Sequence, residues 1–102
     1  MLVYSSTELH FRYKDAERLH TSHYNFALSR GDIHGLAIAC GNIGFLKFYN
    51  PEESDDALVY QFIEYALAEQ VGDCARMGVA FNKIGKLYTT LGYDILVFGK
   101  SL

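Results

Sequence analysis

From Leu36 to Tyr49 apolar residues occupy nearly every position, with Asn42 and Lys47 the strongly polar interruptions. A run of this length exceeds an ordinary strand, and its lack of alternation predicts a helix that is apolar on most of its faces. Asp32 stands just before the run as an N-cap, its carboxylate placed to accept the free N–H groups of the first turn. Asp73 stands in the same way before a second helix, Arg76 to Leu91. Gly31 and Gly72 precede these caps, where a helix ends on a residue at positive φ. Each Gly-Asp pair is therefore a stop followed by a start. Between the two apolar runs, Asn50-Pro51-Glu52-Glu53 predicts another helix start, with Asn50 as N-cap, Pro51 in the first turn and Glu53 closing a capping box. Glu52, Glu53, Asp55 and Asp56 crowd that turn, where the helix dipole favours negative charge. The helix so begun, roughly Pro51 to Val71, carries Leu58, Phe62 and Tyr65 on one face, with Ile63 and Ala66 beside it.

Sliding the chain against itself by 41 residues brings two such units into register. Asp15-Ala16 falls on Asp56-Ala57, Tyr24 on Tyr65, and Ala27 on Ala68. Gly31-Asp32 then falls on Gly72-Asp73, Ala39 on Ala80, Ile43-Gly44 on Ile84-Gly85, and Leu46 on Leu87. These are ten identities over the 32 positions from 15 to 46, without a gap. An internal period of this size is the mark of a repeat architecture, in which each helix pair completes its core against its neighbours. Small residues recur at matched positions: Ala16/Ala57, Ala27/Ala68, Ala39/Ala80 and Gly44/Gly85. A glycine inside a helix costs about 1 kcal/mol relative to alanine, so Gly44 and Gly85 call for close helix contact.

The spacing Ala-x-x-Tyr-(x)7-Ala-(x)3-Gly-Asp over Ala57 to Asp73, and Ala-x-x-Asn-Ile-Gly over Ala39 to Gly44, resembles the tetratricopeptide repeat (TPR). It is similar to the longer, roughly 40-residue units of Pins-type G-protein-signalling-modulator scaffolds. Ala80, Ile84-Gly85, Leu87-Tyr88 and Leu91-Gly92 follow in the same order in the second copy. The resemblance covers nearly all of residues 13–98 and implies an all-α, right-handed α-α superhelix of antiparallel helix pairs, about five helices in all. Residues 1–12 are expected to hold the remnant of a first helix. The array, 13–102, divides into the second helix of a partial repeat (14–30), a complete repeat (33–71) and a partial third repeat (74–102). Several positions depart from the family pattern. Phe11 stands at a family glycine, Asn50-Pro51 replaces a Leu-Gly turn, Lys83 replaces the Asn of the second Asn-Ile-Gly, and Gly99 falls within the last helix. One complete unit with a half-unit on each side reads either as a short product or as a segment of a longer array.

Composition narrows the function. Half of the residues are apolar and 21% are charged, the balance of a packed chain. A formal charge of −3, with no cluster of basic residues, argues against nucleic acid. The longest apolar run is too short to span a bilayer, and the first residues lack the basic-then-apolar pattern of a signal peptide. Cys40 and Cys74 lie far apart in apolar sequence, suggesting neither a zinc site nor a disulfide, and the chain is expected to be cytoplasmic.

No catalytic motif emerges: there is no phosphate-binding glycine loop and no nucleophile elbow. His20 and His23 are three apart, but no third ligand follows at metal spacing, so neither a metal nor another cofactor is expected. What remains is binding. In the family resembled, the first helix of each repeat lines a concave groove that holds an extended peptide. Carried over, this implies a groove with Asn42 and Phe45 from one unit and Asn82, Lys83 and Lys86 from the next. An amide such as Asn42 can pair with both the N–H and C=O of a peptide, and the lysines favour a carboxylate. The expectation is a non-enzymatic scaffold module for a peptide or protein partner, with the lysines selecting for acidic or carboxylate groups on it. The alternatives are a self-associating element, paired through apolar surface on its end helices, and a regulatory fragment of a longer TPR protein.

Overall fold

A computed structural model describes residues 6–50 and 52–92. Among these residues the chain is all helical, with four helices in order: α1 (Ser6–Arg30), α2 (Ile33–Phe48), α3 (Ser54–Val71) and α4 (Cys74–Thr90). Each helix packs on the next in sequence, α1 on α2, α2 on α3 and α3 on α4. The radius of gyration is 15.1 Å, above the roughly 13 Å of a compact domain of this length. The chain is thus built by succession and not wrapped around one centre. The fifth helix expected near the C-terminus lies outside the described residues.

The 41-residue period reappears in the backbone. Gly31 and Gly72 take φ of +65° and +73°, which an L side chain rarely adopts. At the first junction the Gly31 N–H donates to Leu28 O (3.2 Å) and the Asp32 N–H to Ala27 O (2.9 Å). At the second, Gly72 N–H donates to Glu69 O (3.1 Å) and Asp73 N–H to Ala68 O (2.9 Å). Both are Schellman closures, which satisfy carbonyls that the helix end leaves free. The cap that follows is equally repeated: Asp32 accepts from the Gly35 N–H (2.9 Å) and Asp73 from the Arg76 N–H (3.0 Å). His34 Nε2 lies 3.2 Å from Asp73 Oδ2, so the start of α2 touches the cap of α4. The Arg76 N–H, against some desolvation and with the His34 contact adding to it, holds the Asp73 carboxyl below its ordinary range.

Two boundaries differ from the sequence expectation. α1 is one continuous helix of 25 residues, so residues 6–12 share one helix with 14–30. No glycine or proline interrupts this stretch, and nothing local stops the helix. α3 starts at Ser54, three residues after Pro51, and Glu53 at its N-cap position makes no side-chain cap. Instead the Asn50 side chain accepts from the Glu52 N–H (3.1 Å) and donates to Glu53 Oε2 (3.2 Å), closing a separate turn ahead of the helix. The Glu53 carboxylate is drawn outward by the Tyr13 hydroxyl, which donates to it at 2.7 Å, and by Lys47 at 3.5 Å.

Small side chains form most of the core. Ala27, Ala37, Ala39, Ala57, Ala68 and Ala80 are buried, joined by Cys40, Ile43, Ile84 and Leu87. Burial pushes the Cys40 thiol up to about 11, with the Glu64 carboxylate adding to it, as suits a small core residue. Small residues let the helices approach closely, and many large apolar side chains are left outside as a result. No helix among the described residues is long and apolar enough to cross a membrane.

Candidate functional site

The site begins with two glycines. Gly41 and Gly44 lie three apart on the buried side of α2, where helical spacing places them on neighbouring turns. A Cβ on Gly44 would lie 2.9 Å from Tyr60 Cβ and 3.3 Å from the Ala57 carbonyl oxygen. A Cβ on Gly41 would collide with the Glu64 carboxylate, its carbon at 2.7 Å. The glycines thus leave room for polar side chains of α3 to enter the helix interface. Gln61 and Glu64 use it, at 1% and 0% exposure.

Both are held there by specific partners. The Gln61 Nε2 donates to Gly41 O at 3.3 Å, leaving Oε1 buried without a partner. Glu64 Oε2 accepts from Arg76 Nη1 at 2.9 Å, and Lys83 Nζ stands 3.6 Å from Oε1. A buried carboxylate without a cation is strongly disfavoured, so Arg76 and Lys83 of α4 are tied to α3 by this charge. The cluster is asymmetric: both cations reach solvent, at 28% and 30% side-chain exposure, while the anion does not.

Above Gln61 lies a hollow of about 350 Å³ between α2 and α4, with α3 as its floor. Phe45, Phe48 and Tyr49 of α2 form one wall, and Tyr49 stacks edge to face on both phenylalanines. Leu87 faces them, with Lys83 and Lys86 at the rim. Of the five residues expected in a groove, the structure brings Phe45, Lys83 and Lys86 together. Asn42 and Asn82 are exposed and stand outside the hollow.

Sequence reasoning missed Phe48, Tyr49, Leu87 and above all Gln61 and Glu64. A signal for the last two existed. Two polar residues at i and i+3 interrupt an otherwise apolar band, opposite two glycines with the same spacing.

A second hollow, of about 880 Å³, opens on the other side of α2, between α1 and α3. Cys40, Ile43 and Leu46 lie at its base. Its lining charges balance, with Glu17 and Asp56 against Arg18 and Lys47. Among the described residues no group of three His, Cys, Asp or Glu side chains is placed to hold a metal. No protein-family model matches this chain, and no significantly similar curated protein or solved structure was found.

Proposed function

We propose that the chain is a TPR-type module, a right-handed superhelix of helix pairs, that binds a peptide or protein partner without catalysing a reaction. Its setting would be cytoplasmic, in keeping with two free thiols. The observation that carries this reading is the hollow between α2 and α4, where an aromatic wall meets a rim of two lysines. Lys86 has no ion-pair partner among the described residues, and Lys83 is only partly neutralised by Glu64. An apolar side chain of the partner would seat against Phe45, Phe48 and Tyr49, and an acidic group beside it would meet the lysines. Phe45 is 55% exposed, a substantial apolar area to leave in water without a partner.

Selection from a random-sequence peptide library displayed on phage tests the reading. The expected outcome is enrichment of peptides pairing an aromatic or large aliphatic residue with acidic ones. A labelled peptide from that selection should lose at least tenfold in affinity to the Phe45→Glu and Lys86→Glu variants. It should keep its affinity for Leu9→Glu, a change on exposed α1 surface. Equal binding to all three variants would remove the site from this hollow.

A further inference from the structure

The one complete interface, between α2 and α3, shows what the outer helices lack. α2 brings to it Gly41 and Gly44, with Ala37 and Cys40 one turn earlier on the same stripe, all four buried. α3 brings Ala57, Tyr60, Gln61 and Glu64. Shifted by 41 residues, the α2 stripe becomes Gly78, Phe81, Asn82 and Gly85 on α4. There the surroundings are empty among the described residues. A Cβ added at Gly78 or Gly85 would meet nothing within 4 Å, and Phe81 is 69% exposed where Cys40 is 1% exposed. Shifted the other way, the α3 set becomes Ala16, Leu19, His20 and His23 on α1. None of these is buried, and Leu19 is 70% exposed.

Among the described residues there is therefore an uncovered face of the α2 kind on α4 and one of the α3 kind on α1. They are the two halves of an interface already present between α2 and α3. We propose that copies of this chain associate head to tail, with α4 of one copy seated on α1 of the next in the manner of α2 on α3. Gly85 of α4 would admit Leu19 and His20, as Gly44 admits Tyr60 and Gln61, and Asn82, in the place of Gly41, would face His23. Such a contact is heterologous, so each copy keeps one free face of each kind and the assembly grows beyond a dimer. Continuity with the α2–α3 interface selects a second copy over an unrelated partner, because only this chain carries both halves in register.

Sedimentation velocity on the full chain and two variants, Leu19→Arg and Gly85→Arg, tests the proposal. Both changes fall on uncovered positions, and circular dichroism checks that the helix content is retained. Should either variant lose helix, Phe81→Glu replaces it on α4 and Ala16→Glu on α1. The unmodified chain should show an average mass that rises with concentration, and each variant alone should stay monomeric. An equimolar mixture of the two should form a species of two chains and none larger, because only one intact pair of faces remains. A monomeric unmodified chain at all concentrations would overturn the proposal, as when residues 93–102 of the same chain cover α4. Association of Gly85→Arg alone to the same extent as the unmodified chain would overturn it too, since that is the behaviour of α1 pairing with α1.

Discussion

Gly44 and Gly85 hold the same place in two copies of one repeat, yet their surroundings are opposite. Gly44 is packed against Tyr60, Gln61 and the backbone of Ala57, while Gly85 has open space on the side where a Cβ would be. Both sit inside helices with similar caps, so local structure does not separate them. What separates them is whether another described helix lies against the glycine's open side. A repeated motif specifies a helix with a prepared face; burial of that face depends on the neighbour.

The sharpest way to break the packed side of this comparison is Gly41→Ala. The new methyl would drive the Glu64 carboxylate away from Arg76 and Lys83, and a loss of about 3 kcal/mol in urea unfolding is expected. A change below about 1 kcal/mol would show that the carboxylate relocates freely. Gly44→Ala should be milder. Gln61 Nε2, at 2.7 Å, is a movable group, but Tyr60 Cβ and the Ala57 carbonyl are not, and a loss of about 1–2 kcal/mol follows.

The identical change in the other copy, Gly85→Ala, should have the reverse sign. With nothing to strike, the methyl contributes only its helix preference and stabilises by about 0.5–1 kcal/mol, measured at dilution. Loss of stability there would mean that Gly85 is covered after all.

The smallest effect is at the rim, where α1 meets the turn before α3. Burial and the hydrogen bond to Glu53 push the Tyr13 hydroxyl up to about 12 from 10.0. That same hydrogen bond, with help from Lys47 and against burial, holds Glu53 below its ordinary 4.5. The raised tyrosine contributes stability that is complete below pH 10.0 and lost as pH rises through about 12. The lowered carboxylate contributes stability present above 4.5 and lost as pH falls through its depressed value. The thermal midpoint of Tyr13→Phe should therefore trail the unmodified chain by a constant margin near neutrality. The margin should narrow in both acid and strong base, and a pH-independent margin would deny the bond its role.

Much of the fold was legible because it is locally encoded. The Gly-Asp junctions need a residue that tolerates positive φ and a short carboxylate next to it, and both demands are met by residues adjacent in sequence. The Asn50 start misled for a related reason. The local signal for a cap was genuine, but Tyr13, 40 residues away, and Lys47 engage Glu53 and leave Asn50 to close a separate turn. Within the hollow, Phe45, Lys83 and Lys86 were implied by the family resemblance, together with Asn42 and Asn82, which stand outside it. Phe48, Tyr49 and Leu87 were not, since their meeting depends on the separation of α2 and α4 across α3.

The sequence by itself determined a repeating all-helical chain, its junctions and caps, and the small-residue stripes along which helices meet. These follow from backbone preferences and spacing within a few residues. Only the tertiary structure decided that Gln61 and Glu64 enter the space left by Gly41 and Gly44, that Arg76 and Lys83 converge on a buried carboxylate, and that Gly44 is packed while Gly85 meets no described neighbour. Each of these depends on groups from different helices sharing one volume, and no local preference fixes which groups those will be.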